Sequence, residues 1–225
     1  MKKTLKYKRC RYIKSSASLF AFNMRTRFLL LFILSFSHSF IFSQTRIRDI
    51  YAEAPDSIFP LLTMNNRLDQ IDFCENNMQA VVKNRFDTPS ELLVLTDRYL
   101  KLQLSERCLI EMRLLGDNTL DSLSDTNLRF CMVQTYNAPA PDSRIRFFDA
   151  QWRELPQTIE RPSVDDFLSE DVDIDVRLAL EALPLIKVSL SENDDTITFE
   201  LQTSELTHEQ RKKVEGKVQE IRNHL

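Results

Sequence analysis

Asp171, Asp173 and Asp175 alternate along the chain as the oxygen ligands at positions one, three and five of a calcium loop do. Such a loop also needs glycine at its sixth position and glutamate at its twelfth, where this chain carries Val176 and Ala182. The pattern therefore reads as an exposed acidic turn, and no metal ligands are assigned. Beyond residue 43 the only histidines are His208 and His224, and the only cysteines are Cys74, Cys108 and Cys131. No two of the cysteines are close in sequence and neither histidine lies near one, so there is no zinc-ligand spacing and no local Cys-His nucleophile motif. Three cysteines allow two readings: buried small hydrophobes, or one disulfide with a thiol left over. A Gly-x-Ser-x-Gly elbow is missing. Gly116 and Gly216 are the only glycines, which argues against a loop that cradles phosphate through close backbone approach. No catalytic residue and no cofactor are assigned. Paired carboxylates that meet only in space remain available to any chain with 33 acidic residues, so a carboxylate-based hydrolase acting in the periplasm stands as the alternative function.

Aromatic residues give the clearest hint of a surface. Phe147 and Phe148 sit on a strand-like run with Trp152 just beyond it, and alternation turns the two phenylalanines to opposite faces. Packing of both in the core is one reading. The other leaves Phe148 and Trp152 as a partner surface, where aromatic anchors carry much of the binding energy.

The elements that would position these residues follow from periodicity. Residues 45–54 read as an approach strand or short helix, and Asp56 as the cap of a short turn holding Ile58, Leu61 and Leu62. Asn65 or Asn66 should cap a helix whose Leu68, Ile71, Cys74 and Met78 form one apolar stripe, with Arg67 and Gln70 left toward solvent or the edges of the stripe. Residues 91–95 read as a strand. Leu100, Leu102 and Leu104, and then Ile110, Met112 and Leu114, alternate with polar partners that include Glu111 and Arg113, the period of strands with one wet face. Gly116, Asp117 and Asn118 begin a loop. Phe130 to Tyr136 and the run through Ile145 and Phe147 make a hairpin whose residues 137–143, with two prolines, look like a long exposed loop. Ser163 and Asp166 approximate a capping box, residues 177–183 are helix-like, and Pro184 stops them. Ile186, Val188 and Leu190 face Ile197, Phe199 and Leu201 across a turn containing Asp194 and Asp195, the clearest hairpin in the sequence. Thr207 and Gln210 open a final helix, with Val214, Val218, Ile221 and Leu225 at helical spacing. Together these elements predict an α+β fold, an antiparallel sheet packed against amphipathic helices.

The N-terminal 43 residues form a different region. Nine basic residues and no acidic one lie there, followed by an apolar run over 28–42 and then Ser43 and Gln44. A positive flank, a short apolar core and a small residue make a signal peptide, too short for a membrane span of roughly 20 residues. Cleavage is expected after Ser43, and Met24 would begin a leader of ordinary length. Residues 44–225 are then one α+β domain, located in the periplasm or outer cell envelope with no stable membrane span. Without the leader, 21 basic residues face 33 acidic ones, a net charge of −12. That charge favours solubility and repels nucleic-acid backbones.

The runs LLTMNNRLDQIDFCENNM (residues 61–78) and SELLVLTDRYLKLQLSE (residues 90–106) resemble an uncharacterised family of exported proteins from Bacteroidetes, known only as a domain of unknown function. Phe42, Ser43 and Gln44 are similar to the cleavage region seen in that phylum. The resemblance implies a compartment and brings no catalytic or ligand residues with it. The sequence thus points to an exported, envelope-associated binding or accessory protein, with an envelope protein, a peptide or a glycan as partner.

Overall fold

The computed structural model describes residues 46–116, 128–157 and 159–225. The leader and the loop residues Asp117 and Asn118 lie outside them. Helix α1 (Ile47–Ala52) turns Ile47, Ile50 and Tyr51 inward. Helix α2 (Met64–Glu75) is capped by Thr63 rather than by an asparagine: its hydroxyl accepts from the Asn66 N–H at 3.2 Å, and the Asn66 side chain accepts from the Thr63 N–H at 3.0 Å. The box closes because Asn66, at the third helical position, reaches back to the cap. The inner face of α2 also differs from the apolar stripe. Ile71 is buried, but Leu68 and Met78 are exposed, and Arg67 and Gln70 point inward.

Seven strands follow: β1 (Ala80–Lys83), β2 (Pro89–Leu95), β3 (Tyr99–Ser105), β4 (Cys108–Leu115), β5 (Arg129–Asn137), β6 (Pro141–Asp149) and β7 (Glu154–Leu155). They pair with their sequence neighbours, all antiparallel, in one meandering sheet. The β5–β6 connection is tight, only Ala138, Pro139 and Ala140, so residues 141–143 belong to β6 and not to a long loop. Ser143, expected in that loop, is buried.

Leu100, Leu102, Leu104, Ile110, Met112 and Leu114 are all buried on the first face of the sheet, beneath α1 and α2 and the turn that carries Phe59 and Leu62. The opposite face was expected to be wet, yet Glu111 and Arg113 are 3% and 4% exposed. A second layer covers them. It consists of α3 (Val164–Phe167), α4 (Ile174–Ala182), the hairpin β8 (Ile186–Leu190) and β9 (Thr196–Leu201), α5 (His208–Val214), and β10 (Ile221–His224). The three strands form their own sheet in the order β10, β9, β8.

The single final helix is corrected here. After Val214 the chain turns at Gly216, whose φ of +74° suits glycine, and ends as strand β10 paired with β9. Val218, Ile221 and Leu225 still pack on the second core, so the apolar spacing marked the buried residues but not their conformation. Among the described residues there are ten strands and five helices, a strand-rich α+β fold. None of these helices is long and apolar enough to cross a membrane.

Candidate functional site

Phe148 and Trp152 do not form an exposed surface: Phe148 is 1% and Trp152 9% exposed. Trp152 packs edge-on to Phe59 and Phe130 and against Phe148, with ring centroids 5.8, 4.8 and 5.3 Å away, and its Nε1 donates to the Ile50 carbonyl at 3.1 Å. Both residues close the end of the first core, the packing reading of the sequence. The indole is delivered by a tight turn in which Trp152 has a φ of +61°. Asp149 stabilises that turn, its carboxylate accepting from the Gln151 and Arg153 N–H groups at 3.0 Å each. Burial would raise the Asp149 pKa, but these bonds and the Arg153 guanidinium outweigh it and hold the carboxyl below its usual range.

The other chemistry-bearing residues are engaged structurally. Asp171 pairs with Lys217 at 2.7 Å, and Asp173 and Asp175 pair with Lys213 at 2.8 and 3.3 Å, so the alternating aspartates clasp the α5 region. Among the described residues no group of three or more His, Cys, Asp or Glu side chains converges to hold a metal ion. His208 opens α5 and His224 lies on β10, both exposed. Cys74, Cys108 and Cys131 are free thiols, Cys108 and Cys131 buried, and burial raises the pKa of each. Buried Glu111 accepts from the Tyr99 hydroxyl at 2.6 Å and pairs with Lys101 at 3.3 Å. Arg113 donates to Asp195 at 2.7 Å and to the Ser191 and Glu192 carbonyls. A shallow hollow of about 510 Å³ on the outer face of the small sheet is lined by Ser191, Thr196, Thr198 and Arg222 among others, but Arg222 is already paired with Glu220.

One part of the large sheet stands apart. On the first face, α1 and α2 cover the strands from β1 to β4, and Trp152 covers the Phe130–Phe148 end of β5 and β6. Toward the other end of those two strands, beyond the buried Met132, the side chains on this face become progressively exposed. The register places Tyr136 opposite Asp142, Gln134 opposite Arg144, and Met132 opposite Arg146. Tyr136 is 49% exposed, Arg144 is exposed, and Gln134 and Arg146 are partly so. The Arg146 guanidinium lies over the Phe148 ring, 5.0 Å from its centroid, and approaches Glu154 at 3.9 Å. Burial lowers its pKa; Arg144 lowers it further, while Glu154 and Tyr136 act to raise it. Arg107, in the turn before β4, lies at the same end of the sheet, its carbonyl accepting from the Asn137 N–H. This face was missed in the sequence, although Arg144 and Arg146 alternate with the buried Ile145 and Phe147 and so had to share a face.

The fold defines an antiparallel sheet protein covered by helices on one face and by a second small sheet on the other. The chain belongs to the family described as "Protein of unknown function (DUF3256)", whose model matches residues 40–223. A solved structure titled "Structure of a domain of an uncharacterized protein from Porphyromonas gingivalis W83" is similar, with a TM-score of 0.63 at 22% identity over 79% of this chain and 92% of that one. At that identity the likeness is one of fold. No curated protein matches the chain. The family is a domain of unknown function, as the resemblance of residues 61–78 and 90–106 implied.

Proposed function

We propose that this is an exported, envelope-associated binding or accessory protein whose contact surface is the uncovered face of β5 and β6. The observation that carries the reading is the half-exposed Tyr136 beside Arg144 and Arg146 on a sheet face that, among the described residues, neither helices nor the second sheet cover. Tyrosine and arginine, with tryptophan, are the residues enriched in interface hot spots. Arg144 has no ion-pair or hydrogen-bond partner for its side chain among the described residues, in a chain where acidic groups outnumber basic ones. The basic, apolar and small-residue order of residues 1–43 supports export.

Every residue of the two cores lies in 44–225, which is one compact unit and serves as bait. Immobilised bait is exposed to solubilised envelope from the host, beside a Tyr136→Ala/Arg144→Ala variant and a Thr198→Ala control on the small sheet. The expected outcome is a partner enriched in proportion to bait, retained by the control and lost by the double variant. A partner that the double variant holds equally well would remove this face from the reading. Fractionation tests export separately: a chain that stays in the cytoplasm with its leader intact would overturn it.

A further inference from the structure

We infer that the β5–β6 face takes an extended acidic peptide segment of a partner protein, with carboxylates at alternate positions. The inference rests on the proposed contact face and adds the chemistry of what it binds.

Arg144 and Arg146 are two residues apart on β6, which sets them on one face at a spacing of about 7 Å. A peptide in extended conformation presents its own alternate side chains at the same interval. Each guanidinium offers a planar fork that matches a carboxylate with two parallel hydrogen bonds. Arg146 is held against the sheet by the Phe148 ring, so its fork is positioned before any ligand arrives. Glu154, 3.9 Å away, is the only carboxylate paired with it among the described residues, and Arg144 has none. Two like charges side by side repel each other, and an anion with two well-spaced charges relieves that repulsion at both.

The neighbours fit a peptide. Tyr136 offers an exposed ring for an apolar stem, and Gln134 offers an amide whose only side-chain bond among the described residues is a long 3.5 Å contact from Nε2 to the Cys108 sulfur. The edge of β6 is already in use: the Ser143 carbonyl accepts from Arg161, and Asp142 accepts from Arg161 and from the Ile186 N–H. A ligand therefore lies across the face instead of extending the sheet. An anionic membrane is disfavoured by the net charge of −12 in residues 44–225, since a continuous negative surface repels the whole molecule. A short acidic segment can meet the two arginines locally, since Asp142 on the same strand is already paired with Arg161 and Glu154 stands 3.9 Å from Arg146.

The test is a titration of residues 44–225 with fluorescein-labelled Thr-Glu-Thr-Glu-Thr. A Thr-Thr-Glu-Glu-Thr peptide, phosphatidylglycerol vesicles and inorganic phosphate serve as competing probes. The alternating peptide is expected to bind more tightly than the contiguous one and to weaken with salt. Arg144→Glu should cost about tenfold or more in affinity, and circular dichroism checks that this exposed substitution leaves the fold intact. Equal binding of the two peptides, indifference to Arg144→Glu, or preference for vesicles or phosphate would overturn the inference. If neither peptide binds while the Tyr136→Ala/Arg144→Ala variant still loses its captured partner, the ligand class falls and the contact face stands. If that variant keeps the partner, both fall.

Discussion

The two faces of the seven-stranded sheet are covered by layers held in different ways. On the first face, α2 sends polar side chains inward to backbone groups of its surroundings. Arg67 donates to the Ala54 and Leu62 carbonyls at 2.6 and 3.1 Å. Gln70 accepts from the Tyr51 hydroxyl at 2.6 Å and donates to the Ser90 carbonyl at 3.1 Å, an environment whose burial pushes the Tyr51 pKa up. On the second face the connections cross much longer stretches of chain. Arg113 on β4 holds the tip of the β8–β9 hairpin through Asp195, and the Ser143 hydroxyl accepts from the Val188 N–H at 2.9 Å. One layer is fixed by an arginine whose short bonds all go to carbonyls, the other by an arginine that satisfies a carboxylate together with two carbonyls. A buried polar group costs little while its partners remain and a great deal once one is removed, so the two layers should fail differently.

Arg67→Ala is expected to have the largest effect. It empties a large buried site, 2% exposed, and strips carbonyls of their donors, a loss of about 3–5 kcal/mol in denaturant unfolding. Its contact with Asp56 is 3.4 Å long, and that carboxylate is half exposed. The Arg67→Ala and Asp56→Ala effects should therefore nearly add. Arg113→Ala should cost about 2–4 kcal/mol. In contrast with the first layer, its cycle with Asp195→Ala should show a coupling of about 1 kcal/mol or more. Equal coupling in the two cycles would erase the proposed difference. Ser143→Ala tests the second layer without a charge, leaving the Val188 N–H unsatisfied at a cost of about 1–2 kcal/mol. A neutral Ser143→Ala would mean that the Ser143–Val188 bond adds nothing to the hold on the small sheet.

The same contrast explains what the sequence could carry. Leu100, Leu102 and Leu104 on β3 announced a strand with a buried face because local alternation suffices for that. Glu111 and Arg113 alternate just as regularly, and only the arrival of the β8–β9 hairpin, some 80 residues later in the chain, decides that they are buried. Capping boxes at Ser163 and Thr207 were legible because they close within four residues. The conformation after Val214 was not, since strand pairing with β9 overrides a helical spacing of apolar residues that both conformations can bury. The candidate face was half legible. Alternation puts Arg144 and Arg146 together, but which end of a sheet face stays open depends on how far α1, α2 and Trp152 reach.

The smallest expected effect concerns the outer rim of the second layer. The Asp171–Lys217 and Asp173–Lys213 pairs join the start of α4 to the α5 region, and both aspartates are held below the usual carboxylate range, chiefly by the lysine hydrogen bonds. A carboxyl with a depressed folded pKa binds its proton more weakly in the native state than in the unfolded chain. Its contribution is then fully present above the unfolded pKa and disappears as pH falls through the folded one. Unfolding curves of the wild type and of an Asp171→Asn/Asp173→Asn variant should therefore differ by a small, constant amount near neutral pH and converge below about pH 4. Because the pairs lie on the solvent-facing rim, added salt should shrink the neutral-pH difference. It should leave the Arg113–Asp195 coupling largely in place, because Arg113 is buried beneath the hairpin tip and Asp195 is mostly shielded there. Equal salt sensitivity would show that the second layer is held by its rim as much as by its interior latch.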